Sequence, residues 1–137
     1  MTLLSIATRF AAVIIILSCS GTAYAGQTSA LPSGSGLYVN YCGSCHGPQA
    51  KGDGPMASVL RVKPADLTTI ATRSGGKFPS EAVFRSIDGR NPAMGHGGSM
   101  PVWGDTFLRS QGGASPDVVR ARIDALVRYI ETIQQKP

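Results

Sequence analysis

The chain has few residues able to bind a metal ion or act as a nucleophile. Its 137 residues include 3 cysteines, 2 histidines and 1 tryptophan. A structural zinc site needs four nitrogen or sulfur ligands. After Cys42, Cys45 and His46, such a site would have to take its fourth ligand from His96, far along the chain in a glycine-rich stretch. No other group of residues indicates an enzyme with an acid, a base and a nucleophile around one pocket.

Two further patterns are missing. No stretch shows the alternating polar and apolar residues around a tight turn that would indicate a β-hairpin. The basic residues give a formal net charge of +5 but form neither a run nor a stripe interleaved with aromatic residues. The sequence therefore predicts an all-α protein that does not bind nucleic acid.

The N-terminus has the pattern of a secretory signal peptide. Arg9 precedes an apolar run over 11–17, which is shorter than the roughly 20 residues a membrane-spanning helix needs. A small-residue cleavage site ends at Ala25. This predicts a signal peptide over 1–25, export to the periplasm and no membrane span after cleavage. The alternative is a lipoprotein cleavage box that would leave a lipid anchor on Cys19.

The residues that follow are enough for one small domain. Small polar residues over 26–35 predict a flexible leader, with order from near Leu37 in a domain over 36–134. Three helices are predicted: 37–46, about 81–88 with Ser80 as its N-cap, and a long helix opened by Ser115-Pro116-Asp117. The glycine- and proline-rich stretch 89–113 excludes a long regular element.

The stretch Cys42-Gly43-Ser44-Cys45-His46 allows four interpretations: covalent haem attachment, a zinc site, a redox dithiol or a structural disulfide. A redox dithiol is expected to open a helix in a βαβ unit, whereas this motif closes a helix. A plain disulfide would suit an exported protein but leaves no role for His46 or for the glycine-rich loops.

Covalent haem accounts for all of these features. Two cysteines separated by two residues can each add to one vinyl group of the porphyrin, and His46 is then placed to bind the iron. A flat apolar macrocycle also supplies core surface that a small domain lacks. Glycine lets the backbone pass close to such a surface. The motif predicts one haem c, attached through Cys42 and Cys45.

The stretch 37–55, with Tyr41-Cys42-Gly43-Ser44-Cys45-His46-Gly47 and Gly52-Asp53-Gly54-Pro55, resembles the class I c-type cytochromes of bacterial periplasms. The resemblance spans roughly 36–134 and implies a cytochrome c fold. In that fold the N- and C-terminal helices pack across each other, with a third helix and Gly/Pro-rich loops around one haem. Ile87-Asp88-Gly89-Arg90 is similar to a segment of small cytochrome subunits of periplasmic dehydrogenases, such as sulfite dehydrogenase.

The candidates for the second axial ligand are Met56, Met94, Met100 and His96. Spacing does not separate Met94 from Met100, and Met56 is predicted to fill the core. The resemblance favours Met100, because Met100-Pro101-Val102-Trp103-Gly104 is similar to the segment that presents a methionine sulfur to the iron. His96 is a further alternative, with simple exposure as its other interpretation.

The resemblance also implies two supporting contacts. A backbone carbonyl near Pro55 would accept the Nδ1 proton of His46, which would fix the ring and raise its basicity. The indole N–H of Trp103 would point at a haem propionate, with ordinary core packing as the alternative.

A nitrogen ligand and a thioether ligand favour electron transfer, because both oxidation states keep the same coordination. We predict a periplasmic electron carrier, or the cytochrome subunit of a dehydrogenase, rather than an enzyme. Its partners would be redox proteins: a periplasmic dehydrogenase, a terminal oxidase or another cytochrome. Basic residues are predicted to steer acidic partners, with a merely solvated surface as the alternative: Lys51, Arg61, Lys63, Arg73 and Lys77. A labile sixth ligand would instead favour a gas- or peroxide-binding sensor.

Overall fold

The computed structural model describes residues 31–91, 100–110 and 114–136. Within these ranges the chain forms helices and no β-strand, which confirms the all-α prediction. The helices are α1 (Gly34–Tyr41), α2 (Gly43–His46), α3 (Ile70–Arg73), α4 (Ser80–Asp88), α5 (Trp103–Arg109) and α6 (Pro116–Thr132), with 3₁₀ helices over Ala57–Val59 and Leu67–Thr69. The predicted signal peptide and Cys19 lie outside the described residues.

Helix α1 begins earlier than the sequence pattern predicts. Its N-cap is Ser33, whose hydroxyl accepts a hydrogen bond from the Gly36 backbone N–H at 3.1 Å. The last residues of the predicted flexible leader are therefore helical. The cap supplies one reason, and the packing of Gly34 against α6 supplies another, since a glycine at a helix contact lets two backbones approach closely.

The crossing of α1 and α6 forms the centre of the core. A Cβ on Gly34 would lie 2.8 Å from the Tyr129 Cβ, so only glycine fits where the helices meet. Beside it, Leu37 and Tyr38 of α1 are buried, and the Tyr38 ring lies 5.3 Å from the ring of Tyr129. From α6 the core receives an apolar stripe: Val119, Ile123, Leu126, Val127 and Ile130. The predicted packing of the first and last helices is confirmed.

Helix α4 packs on α6 through Val83 and Ile87 and ends at Gly89, which has the left-handed conformation expected of a helix stop (φ 66°). Its N-terminus differs slightly from the prediction. Pro79 is the N-cap and Ser80 is already the first helical residue, so Ser80 makes no cap hydrogen bond.

Helix α5 is not predicted by the sequence pattern, because it is short and lies in the glycine- and proline-rich stretch. Its Phe107 is fully buried and belongs to the same core as the stripe of α6. Among the described residues no helix is both long and apolar enough to cross a membrane.

Candidate functional site

The two cysteines and the histidine lie in one turn at the junction of α1 and α2. The Cys42 N–H donates to the Tyr38 carbonyl at 2.8 Å, and the His46 N–H donates to the Cys42 carbonyl at 2.9 Å. Residues three and four apart share a face of a helical turn. Both thiols are free, so the structure contains no disulfide between Cys42 and Cys45.

The environment of the thiols does not fit a redox dithiol. Burial, with a smaller contribution from the neighbouring Cys45, raises the pKa of Cys42 to about 12. Reactive cysteines instead have lowered pKa values, because the thiolate is the nucleophile. Cys42 is therefore a protonated thiol at neutral pH, placed beside the core.

His46 has its ring fixed by one hydrogen bond. Its Nδ1 lies 3.0 Å from the carbonyl oxygen of Ala65, which can only accept, so Nδ1 carries the proton. Burial lowers the pKa of His46, and this hydrogen bond opposes the effect. The neutral ring thus keeps the Nε2 lone pair free to bind a metal, with its orientation set by the backbone.

The acceptor is not the one that the resemblance implied. Pro55 is exposed, and its neighbours bond instead to the backbone of the motif: Gly54 N–H to the Cys45 carbonyl at 3.1 Å and Met56 N–H to the Ser44 carbonyl at 2.9 Å. The expectation for a carbonyl near Pro55 is wrong. The sequence feature closest to Ala65 is the short turn that follows it. Asp66 caps this turn, and its side chain accepts a hydrogen bond from the Thr68 N–H at 2.8 Å.

Two glycines let the loop after the motif fold against it. Gly47 has φ 80° and its carbonyl accepts from the Tyr38 hydroxyl at 2.6 Å. Burial raises the pKa of Tyr38, which keeps that hydroxyl a donor. Gly52 has φ 75°, donates to the His46 carbonyl at 2.9 Å, and packs so closely on the Pro64 carbonyl that a Cβ would collide with it.

Near the start of α5, Met100 is half-buried against the core and Trp103 is the first residue of the helix. The Trp103 ring lies 5.5 Å from Tyr41 and 5.9 Å from Phe107, and those two rings are 5.1 Å apart. Tyr41 directly precedes the motif, so this cluster joins α5 to it. The aromatic contacts support the packing interpretation of Trp103, and its contact with a propionate stays a prediction.

The other candidates for the second axial ligand are Met56, Met94 and His96. Met94 and His96 lie outside the described residues. Met56 is 46 % exposed, so the prediction that it fills the core is wrong. Residues 31–91, 100–110 and 114–136 contain no group of three or more His, Cys, Asp or Glu side chains placed to hold a metal ion.

The residues present fit a haem held covalently. Two free thiols in one turn are the groups that form thioether bonds, and the adjacent imidazole presents a free Nε2. An all-α domain whose first and last helices cross beside such a motif is the arrangement of a c-type cytochrome.

A comparison with known families agrees. A protein-family model described as cytochrome c oxidase, cbb3-type, subunit III matches residues 29–130. The match covers well over half of the chain, and the chain belongs to this family of c-type cytochrome domains. No curated protein and no solved structure matches it. Membership supports haem c as the cofactor and electron transfer as the activity.

Proposed function

We propose that the protein is a periplasmic electron-transfer cytochrome with one haem c, attached through Cys42 and Cys45 and ligated by His46 and Met100. Family membership supports the cofactor and the electron-transfer activity. The observation that carries the ligation is the His46 ring, fixed through Nδ1 by the Ala65 carbonyl beside two free thiols.

The haem supplies one-electron chemistry when bound. The chain would hold its surroundings rigid in both oxidation states. His46 is oriented by a backbone carbonyl, and the loop after it is bonded back to the motif. Met100 is half-buried against the core, where water is partly excluded. A fixed environment keeps the reorganisation small, which favours fast electron transfer over ligand binding.

The attachment is tested by unfolding the matured protein in acid and extracting haem with organic solvent. We expect one haem per chain to stay with the protein. The double variant Cys42→Ser, Cys45→Ser should release all of its haem. Ser44→Ala is the matched control within the same turn, because the Ser44 side chain is exposed. Haem that is extracted from the wild type would contradict the proposal.

The sixth ligand is tested by the weak long-wavelength absorption band of a sulfur–iron(III) bond in the oxidised protein. We expect the band in the wild type and its loss in Met100→Ala. Met56→Ala is the control, because Met56 is exposed and proposed to be no ligand. A band that survives in Met100→Ala would assign the sulfur to Met94. A wild type without the band would favour His96 or an open site, and with it sensing or ligand binding.

For the partners, we propose redox proteins with an acidic rim around an apolar centre. Three side chains after the motif are strongly exposed: Met56 at 46 %, Val59 at 71 % and Val62 at 55 %. Their segment is held next to Cys45 through the hydrogen bond from Met56 to Ser44. Contiguous exposed apolar groups mark docking surfaces, and we propose that these three side chains form such an apolar patch.

Basic residues lie before, between and after these apolar residues in the sequence. Lys51, Arg61 and Lys63 are all exposed. Arg73, predicted to belong to the same basic set, is also exposed, and its guanidinium donates to the Asp66 carbonyl at 3.0 Å and to the Thr69 hydroxyl. Opposite charge on a partner would raise the rate of encounter. The partner would be a periplasmic dehydrogenase, a terminal oxidase or another cytochrome, and the protein its mobile carrier or its cytochrome subunit.

The steering is tested with hexacyanoferrate(III), a small anionic oxidant, at low and high salt. Lys51→Glu and Arg61→Glu should each slow the oxidation of the reduced protein several-fold at low salt, with the difference shrinking at high salt. Arg128→Glu is the control, because it makes the same charge change on the exposed face of α6. Equal rates in all three variants would remove the proposed steering surface.

A further inference from the structure

The residues that follow α6 make contacts that no sequence motif predicts. The Gln134 side-chain Oε1 accepts from the Ala71 N–H at 2.9 Å. Its Nε2 donates to the Leu67 carbonyl and to the Ile130 carbonyl, each at 2.7 Å. A single amide side chain thus joins the last helix to a segment 63 to 67 residues earlier in the chain.

The backbone of the next residue continues this contact. The Gln135 N–H donates to the Thr68 carbonyl at 2.8 Å. The opposite edge of the same segment is bonded to the loop after the motif, where the Leu67 N–H donates to the Ala50 carbonyl at 2.8 Å. The peptide groups around Leu67 are therefore held between the loop that follows His46 and the C-terminal end of the chain.

This segment begins next to the acceptor of the His46 proton. Ala65 precedes Asp66, whose side chain accepts from both the N–H and the hydroxyl of Thr68. The turn is a compact unit, so a shift of Leu67 would move Ala65 with it. Gln134 is the side chain that anchors the unit from the side away from the loop.

We propose that Gln134 is a positioning residue for His46: it fixes the segment 65–71 so that the Ala65 carbonyl accepts the Nδ1 proton in a constant geometry. The inference rests on the proposed function in one respect, that His46 ligates the haem iron. A well-formed Nδ1–H···O bond makes the imidazole a stronger electron donor. Gln134 therefore acts on the reduction potential without touching the haem.

The experiment compares Gln134→Met with Gln135→Met in the matured holoprotein. Both variants replace glutamine by an unbranched side chain of similar length in the same turn. Gln135 uses only its backbone N–H in the contact, and methionine keeps that group, so Gln135→Met is the matched control. Gln134→Asn is a milder second variant should Gln134→Met fold poorly, since a shorter amide cannot reach all three backbone partners.

Three quantities are measured on each protein: solvent exchange of the His46 Nδ1 proton by NMR, the reduction potential, and unfolding by denaturant. For Gln134→Met we expect exchange at least about tenfold faster and a raised potential, because a weaker hydrogen bond leaves the ferric state less stabilised. Gln135→Met should match the wild type in both. Gln134→Asn should lie between them.

Two results would overturn the inference. The first leaves the proposed ligation by His46 intact, and the second contradicts that ligation as well. Gln134→Met could lower the stability yet leave the Nδ1 proton exchange and the potential equal to those of Gln135→Met. Gln134 would then be structural only, and the proposed ligation would stand. His46 ring protons unshifted by the iron in the oxidised wild type would overturn the ligation and the inference together.

Discussion

The two sides of the proposed haem site are held in different ways. On the His46 side, main-chain hydrogen bonds join the motif, the glycine loop and the segment 65–71: Gly52 to His46 at 2.9 Å, Leu67 to Ala50 at 2.8 Å and Gly54 to Cys45 at 3.1 Å. Main-chain bonds of this kind require no particular side chain at most positions, but they require glycine where the backbone is left-handed or crowded.

On the Met100 side the contacts are made by side chains. Arg90 and Asp88 form an ion pair with a nitrogen–oxygen distance of 2.8 Å across Gly89, and this pair lies against Gly104 at the start of α5. The aromatic cluster of Tyr41, Trp103 and Phe107 completes the contact. A partly exposed ion pair stabilises little, so this side of the site is expected to open before the His46 side.

The largest effect is expected from Gly52→Ala on the His46 side. The variant places an L-residue at φ 75°, and its Cβ would collide with the Pro64 carbonyl oxygen. We therefore expect the free energy of unfolding to fall by about 3 kcal/mol or more. Gly75→Ala is the matched control, with φ 75° but no atom of the described residues within 4 Å of the added Cβ. It should cost only about 1 kcal/mol. Equal losses by denaturant unfolding would show that the close approach to Pro64 has no role.

Gly104→Ala tests the Met100 side. The added Cβ would displace the Arg90 and Asp88 side chains and lies 2.9 Å from the Asp88 carbonyl, at an expected cost of about 1–3 kcal/mol. If Met100 is the ligand, the sulfur–iron(III) band should weaken and added imidazole should bind more tightly. An intact band with unchanged imidazole affinity would mean that α5 does not position Met100.

Arg122→Met tests the interior behind the aromatic cluster. Arg122 is buried and bonds to the Ser110 hydroxyl at 2.7 Å, while its Nε has no hydrogen-bond partner among the residues that the structure describes. Within the described part of the chain no carboxylate forms an ion pair with Arg122, so removing its charge should leave stability unchanged or raise it by about 1 kcal/mol. A loss above about 1 kcal/mol by denaturant unfolding would show that the guanidinium stabilises the helix contact.

Arg90→Gln should have a smaller effect, about 0.5–1 kcal/mol, because the ion pair it breaks is partly exposed. Arg85→Gln is the control on α4, since it breaks the more exposed pair with Glu81 and should change stability by less than about 0.5 kcal/mol. We also expect only Arg90→Gln to increase imidazole binding. Equal stability and equal imidazole binding in the two variants would show that the contact of Arg90 with Gly104 has no role at the site.

The smallest effect is expected from pH on the His46 side. The hydrogen bond from Thr68 lowers the pKa of Asp66 below its ordinary value of 3.8. Its stabilising contribution is therefore present above pH 3.8 and is lost as the pH falls through the lowered pKa, by under about 1 kcal/mol because the carboxylate is partly exposed. Asp66→Asn should remove this part of the acid sensitivity, as measured by unfolding between pH 5 and pH 2. An unchanged pH profile would exclude it.

The elements with strong local signals were predicted well. The Ser115 cap of α6 and Pro116 at its first turn are local features, and the structure confirms them. Helix α5 was missed because seven residues in a glycine- and proline-rich stretch carry too little pattern, although its Phe107 is buried in the core. The start of α1 was missed because small polar residues are typical of a flexible leader. Only the packing of these residues on α6 shows that they belong to the helix.

The sequence by itself determined the chemistry of the site, because two cysteines, a histidine and their spacing are local facts. Tertiary structure decided which groups support that chemistry. The hydrogen-bond partner of His46 is Ala65, 19 residues further along the chain, rather than a residue near Pro55. Gln134 bonds to Leu67, which lies 67 residues earlier. Such hydrogen bonds exist only once the helices have packed, since nothing in local sequence chooses among many similar carbonyl groups.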